Sequence, residues 1–169
     1  MATVLEVKKQ EPLSYSLHLA VAPTKLNDRY EWFLEKATEI GITEITPIIC
    51  NHSERKAVKI DRFEKKIQSA MKQSLNGYLP KINKAIAFGD FLKLQEGNLH
   101  QKLIAHCEEG TKKSLKSVLK PNDNTTLLIG PEGDFSTNEI SESIKAGFIP
   151  VTLGNNRLRT ETAAIVACH

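Results

Sequence analysis

Short apolar blocks alternate along this chain with longer segments in which apolar residues recur every three or four positions. Residues 17–22 read as a buried strand closed by Pro23, and residues 45–50 as a second. Further strands are predicted over 81–88, 103–107, 127–129 and 148–153. Between them the period changes from two to that of a helix. Tyr30, Phe33, Leu34, Ala37 and Ile40 line one face of a predicted helix ended by Gly41. Phe63, Ile67, Ala70, Met71 and Leu75 line another, ended by Gly77. Short helices are predicted over 90–94 and 114–119, a longer one from Ser136 to Gly147, and an almost wholly apolar one over 162–169. A helix apolar on every side needs cover on every side. Residues 1–10 show only a brief β-like alternation at Val4 and Val7.

Polar residues sharpen these boundaries. Asn27-Asp28 with Glu31, Asp61 with Glu64, and Ser136 with Glu139 each have the spacing of a capping box at a helix start. Pro47 removes a ladder donor inside its strand, so an edge, an end or a bulge is expected there. Strand, helix and strand joined by short turns make a βαβ unit. The predicted fold class is therefore α/β, a parallel sheet flanked by helices.

Composition narrows the class without naming a function. A chain of 169 residues with 40% apolar content suits one folded domain with a sizeable core. Its longest apolar runs are far short of a membrane span, so no membrane association is expected. Cys50, Cys107 and Cys168 are dispersed and never in a CxxC; reduced thiols in the cytoplasm fit better than a disulfide frame or a zinc site. The five histidines have no ligand spacing either, so no metal is expected. The net charge of +3 is unevenly spread. Between His52 and Lys72 lie seven basic residues (Arg55, Lys56, Lys59, Arg62, Lys65, Lys66, Lys72) against three acidic ones (Glu54, Asp61, Glu64), an excess larger than that of the whole chain. Such a stretch attracts phosphate, or is simply a solvated helix face.

The richest stretch runs from Leu127 to Ala164. Its strand Leu127-Leu128-Ile129 stops at Gly130-Pro131-Glu132-Gly133, where two glycines let the backbone turn sharply and approach a ligand closely. A second glycine turn, Gly154-Asn155-Asn156, follows the next strand and leads through Leu158-Arg159-Thr160-Glu161-Thr162-Ala163 into the last helix. Both turns fall on the edge of an open α/β sheet where ligands bind. Neither GxGxxG nor GxxxxGK[ST] occurs, so dinucleotide and nucleoside-triphosphate readings lose their main support.

GPEGDFS, then LG, then LRTETA, in that order and spacing, resembles the cofactor end of the SPOUT RNA methyltransferases, and within them the RsmE family. Thr24-Lys25, Arg29, Glu31-Trp32 and the run Glu35 to Gly41 resemble the first-helix signature of that family. Ser53-Glu54-Arg55 and Lys72-Gln73-Ser74 extend the likeness. The resemblance implies a SPOUT (alpha/beta-knot) fold with a C-terminal trefoil knot over 13–169. It also implies S-adenosyl-L-methionine as cofactor and N3 of a uridine in 16S ribosomal RNA of the small subunit as acceptor. A homodimer in the cytoplasm goes with it. RsmE-like proteins carry an N-terminal PUA-like domain, which this sequence lacks; residues 1–12 read as its trailing edge or linker.

Under that likeness three loops surround the cofactor. The first is Ala105, His106 and Cys107, the second Ile129, Gly130, Pro131, Glu132 and Gly133. The third is Val151, Leu153 and Gly154 with Leu158, joined by Thr160, Thr162 and Ala163. Arg159 is the expected stabiliser of charge on the base or holder of an RNA phosphate. Glu161 or Glu132 would accept the N3 proton, although Glu161 equally suits a capping carboxylate in a first helical turn. Thr160 or Asn156 would cap that helix. Arg29, Ser53, Arg55 and Gln73 are the expected RNA contacts; as plain chemistry, Arg29 is also an exposed helix charge and Gln73 a surface amide.

Overall fold

The computed structural model describes residues 5–7, 9–11 and 13–169. Among the described residues, eight strands form one sheet in which every pairing is parallel. In chain order the elements are β1 (Leu17–Val21), α1 (Asn27–Ile40), β2 (Glu44–Ile49), α2 (Ile60–Gln73), β3 (Lys81–Ile82), β4 (Ile86–Ala87) and α3 (Phe88–Leu94). Then come β5 (Gln101–Ala105), β6 (Lys113–Ser114), α4 (Leu115–Val118), β7 (Thr125–Ile129), α5 (Thr137–Lys145), β8 (Ile149–Thr152) and α6 (Thr160–Cys168). The sheet order is β3-β2-β1-β7-β5-β8-β6, with β4 also on β2.

Alternation along the strands builds two cores. Leu19, Val21, Leu127 and Ile129 point to one face, beneath Tyr30, Phe33 and Leu34 of α1, Phe63 of α2 and Ala164 of α6. Ala20, Ile48, Ile104 and Leu128 point to the other, beneath Phe88 and Phe91 of α3, Ile140 of α5, and Phe135 and Phe148. Helices on both faces explain why these strands are continuous apolar runs.

Several expectations are refined. The strand expected over 81–88 is broken between Ile82 and Ile86, and the break answers Pro47. The Ile45 carbonyl accepts from Asn83 on the outer side of β2, so by alternation the missing N–H of Pro47 faces the gap. The pair β6 was not foreseen, because two exposed residues carry no pattern.

Of the three expected capping boxes only that of Ser136 and Glu139 forms, with both reciprocal bonds. α1 and α2 begin after Leu26 and Lys59 with no side-chain cap. The Asn27 side-chain oxygen Oδ1 is taken by Arg55, and Glu31 is paired with Arg62. Gly41 closes α1 at φ 110 as expected. α2 ends earlier than Gly77, where Leu75 takes the left-handed conformation at φ 55 and is exposed, as is Ile40. Trp32 is also exposed. Val4 lies outside the described residues, and Val7 is exposed and in no strand.

Candidate functional site

The carboxyl ends of β5, β7 and β8 converge on two adjoining cavities of about 280 and 320 Å³. They share Ala105, Cys107, Arg157, Leu158 and Ala163. Ile129, Gly130, Pro131, Glu132, Asp134, Arg159 and Thr160 complete the first; His106, Val151, Leu153 and Gly154 help line the second. Segments far apart in sequence thus form one wall because their strands are neighbours in the parallel sheet.

The turn after β7 is the most tightly specified part. A Cβ on Gly130 would stand 3.1 Å from the Phe135 nitrogen and ring, and one on Gly133 would stand 3.1 Å from the His52 Cβ. Asp134 closes the turn with its N–H on the Pro131 carbonyl, at φ 63. Its carboxylate accepts from the Phe135 N–H at 2.8 Å and from the Cys107 N–H at 2.6 Å, so it fastens the β7 loop to the β5 loop. Asp134 was not among the predicted residues. Its signal was the position after Gly133, since Asp tolerates the left-handed region better than most residues.

The other walls are also braced. Lys112 Nζ donates to the carbonyls of His106 and Glu108 at 2.9 and 2.6 Å. Thr137 Oγ1 donates to Glu108 Oε1 at 3.0 Å. Gly154 at φ 142 turns the chain after β8 under a bond to the Thr152 hydroxyl. Both ring nitrogens of His106 are buried without a partner among the described residues. Burial, and then Lys112, hold its pKa below the ordinary histidine value.

α6 begins two residues earlier than predicted, after Arg159, and no side chain caps it. The Thr160 hydroxyl does not cap; it donates to the Gly130 carbonyl at 3.0 Å, pinning the helix to the turn. Arg159 and Arg157 are exposed at the cavity wall with no ion pair among the described residues. Glu161 is 5% exposed and does not line the cavities; its Oε1 accepts from Arg29 Nη1 at 2.7 Å. Of the two candidate proton acceptors, only Glu132 lies at the wall, with Oε1 on the Lys25 N–H at 2.9 Å. Gly133 lines a neighbouring recess with His52 and Asp134, and Thr162 lies outside both cavities.

The expected RNA contacts scatter. Arg29 is bound to Glu161. Ser53 is buried, and its hydroxyl accepts from the Cys50 N–H at 2.9 Å, closing a turn. The Arg55 guanidinium is committed to Thr24, Lys25 and Asn27. Gln73 ends α2 at the opposite end of the sheet, beside residues 74–80 and the amino ends of β1 and β2. An antiparallel return helix after a parallel strand must carry its last turn away from the ligand edge.

The family model of an RNA methyltransferase domain matches residues 10–169. Ribosomal RNA small subunit methyltransferase E of Rickettsia conorii is 34% identical over 174 residues, covering 96% of this chain and 67% of that protein. The chain belongs to the RsmE family of RNA methyltransferases.

Solved structures agree with the RsmE assignment. A probable rRNA-methyltransferase from Porphyromonas gingivalis superposes with a TM-score of 0.88 at 40% identity, over 96% of this chain and 68% of that one. Ribosomal RNA small subunit methyltransferase E from Neisseria gonorrhoeae, solved bound to S-adenosyl methionine, gives 0.79 at 30% identity, over 93% and 64%. The architecture is that of the SPOUT class expected from the motifs. The chain spans about two thirds of the length of the curated RsmE relatives that it matches, 65% and 60% of two of them. No helix among the described residues is long and apolar enough to cross a membrane.

Proposed function

We propose that this chain is the cofactor-binding and methyl-transferring part of an RsmE-type enzyme that methylates N3 of a uridine in 16S ribosomal RNA. The observation that carries the reading is the meeting of the β5, β7 and β8 loops around one divided cavity, with Arg159 exposed at its wall and unpaired among the described residues. S-adenosyl-L-methionine is the fitting cofactor, as in the Neisseria gonorrhoeae neighbour. Apolar Ala105, Leu153, Leu158 and Ala163 offer walls for an adenosine and a thioether chain. The buried, partnerless nitrogens of His106 are the kind of group that a polar nucleoside atom satisfies. When bound, the cofactor supplies an electrophilic methyl group. The residues of the chain orient it and prepare the acceptor.

Uracil N3 becomes a good nucleophile only on losing its proton. Glu132 is the carboxylate at the wall and the better placed of the two candidates to accept it. Arg159, permanently cationic, faces the same space and stabilises the charge that develops on the base or fixes an adjacent phosphate. Glu161 acts from behind, through Arg29. Work on ribosomal RNA of the small subunit implies the cytoplasm. A homodimer is supported by α6, apolar on almost every side yet leaving Val166 exposed, and by exposed Trp32 on α1, against which α6 packs.

The test is calorimetric titration of S-adenosyl-L-methionine into the purified chain, with its solution mass measured, followed by transfer of labelled methyl to 16S ribosomal RNA. Binding near one per subunit and label at uridine N3 are expected. Binding without transfer would identify a cofactor-binding part that needs the remaining third of its relatives to engage RNA. No binding by the folded chain would overturn the reading.

A further inference from the structure

The segment between β2 and α2 looked from its charges like an RNA contact, but most polar groups of residues 51–55 are engaged by other parts of the molecule. Four of them grip Lys25 or its neighbours between β1 and the first turn of α1. Arg55 Nη2 donates to the Lys25 carbonyl at 2.8 Å, Nε to the Thr24 carbonyl at 3.2 Å, and Nη1 to Asn27 Oδ1 at 2.7 Å. Glu54 Oε2 stands 2.9 Å from Lys25 Nζ. Lys25 in turn gives its backbone N–H to Glu132 Oε1 at 2.9 Å. The same segment reaches the turn after β7 from its other flank. His52 Nδ1 lies 3.1 Å from both the Gly133 and Asp134 carbonyls, and the Asn51 N–H donates to Glu139 Oε1 at 2.8 Å.

We propose that residues 51–55 form a strap that sets the shape of the Gly130–Asp134 turn, and that Arg55 is a positioning residue for the cofactor site, acting through Lys25 and Glu132. The inference deepens the functional reading above and rests on it for the identity of the cofactor. A planar guanidinium suits this work, because its fixed fork spans three acceptors on one loop, where an ammonium meets them only as a point charge. The loop so held presents one backbone N–H to Glu132, a carboxylate that would otherwise swing into the cavity or out to solvent. The strap explains why Arg55 makes no ion pair with a carboxylate among the described residues: its donors face carbonyl and amide oxygens.

Two measurements on Arg55→Ala and Arg55→Lys test the proposal. The first is amide hydrogen exchange, read peptide by peptide with thermal melting as a check on folding. Both variants are expected to speed exchange in residues 22–29 and also in residues 128–136, which Arg55 does not touch. Faster exchange confined to residues 22–29 would overturn the strap, whether or not the cofactor assignment holds. The second is S-adenosyl-L-methionine affinity in a double-mutant cycle with Glu132→Ala. Each single change is expected to weaken binding roughly tenfold, and the pair little more than either alone. Fully additive losses would show that Arg55 and Glu132 act separately. Lysine is expected to fail as a substitute; if Arg55→Lys restores affinity, charge rather than the fork is what matters and the proposal falls. Absence of cofactor binding in the unaltered chain counts against the cofactor assignment alone, and the exchange experiment still decides the strap.

Discussion

Arg29 Nη1 donates to Glu161 Oε1 at 2.7 Å, joining residues 132 positions apart in the chain. The pair ties the first turn of α1 to the first turn of α6, directly behind the cavity wall. Its two members are unequal. The Glu161 side chain is 6% exposed and the Arg29 side chain 42%.

That inequality sets a direction for mutation. Arg29→Ala strands a buried carboxylate, whereas Glu161→Gln leaves a neutral acceptor on a guanidinium that water also reaches. We expect Arg29→Ala to cost about 1–3 kcal/mol and Glu161→Gln clearly less. Urea denaturation at neutral pH measures both. The reverse ranking would mean that Glu161 is solvated by something other than Arg29.

Arg159 is exposed at the wall and its side chain has no partner among the described residues, so its removal should spare the fold. For Arg159→Ala we expect the rate of methyl transfer to fall about 10²–10³-fold, with cofactor affinity and melting temperature little changed. Single-turnover transfer on 16S ribosomal RNA is the measurement. Full turnover in the variant would remove Arg159 from the chemistry.

Gly130 combines close approach with a carbonyl that serves as an anchor. Gly130→Ala forces its new methyl against the Phe135 backbone and ring and should cost about 1–3 kcal/mol while weakening cofactor binding. Thr160→Val removes only the bond to the Gly130 carbonyl and should cost about 1 kcal/mol. Chemical denaturation and cofactor titration on the two variants separate crowding of the turn from loss of its anchor.

His18 predicts a pH dependence. It is buried at the β1 end of a polar cluster, with Nε2 2.7 Å from Thr46 Oγ1, which also accepts from Asn83. Burial is the main force holding its pKa below 6.5; Glu44 opposes the shift, and Lys81 and His100 add to it. Below about pH 6.5 the unfolded chain therefore takes up a proton that the folded chain resists, so stability should fall as the solution is acidified. Urea denaturation between about pH 7.5 and 5.5, the range in which a histidine titrates, should show this slope, reduced in His18→Gln. An unchanged slope would place the titration elsewhere.

Residues 127–164 show how far local rules carry. The strand, the glycine turn, the Ser136–Glu139 capping box and the Gly147 stop were all legible, because each depends on neighbours a few positions away. The same rules failed at Asp61 and at Asn27-Asp28. A capping pattern is only an offer, and at Asn27 the guanidinium of Arg55 took it up first.

By itself the sequence determined the parallel α/β class, most strand and helix positions, the order of the three loops and the family. Period, capping and motif spacing are properties of contiguous residues. Tertiary structure alone decided which polar groups remain free. Glu161 was drawn behind the cavity wall by Arg29, Arg55 was engaged by a neighbouring loop, and Gln73 was carried to the far end of the sheet by the direction of its helix, whereas Asp134 was brought in by the β5 loop. Hydrogen bonds between residues distant in sequence have no periodic signature. A side chain's chemical type says what it can bind, and the fold says whether it is already bound.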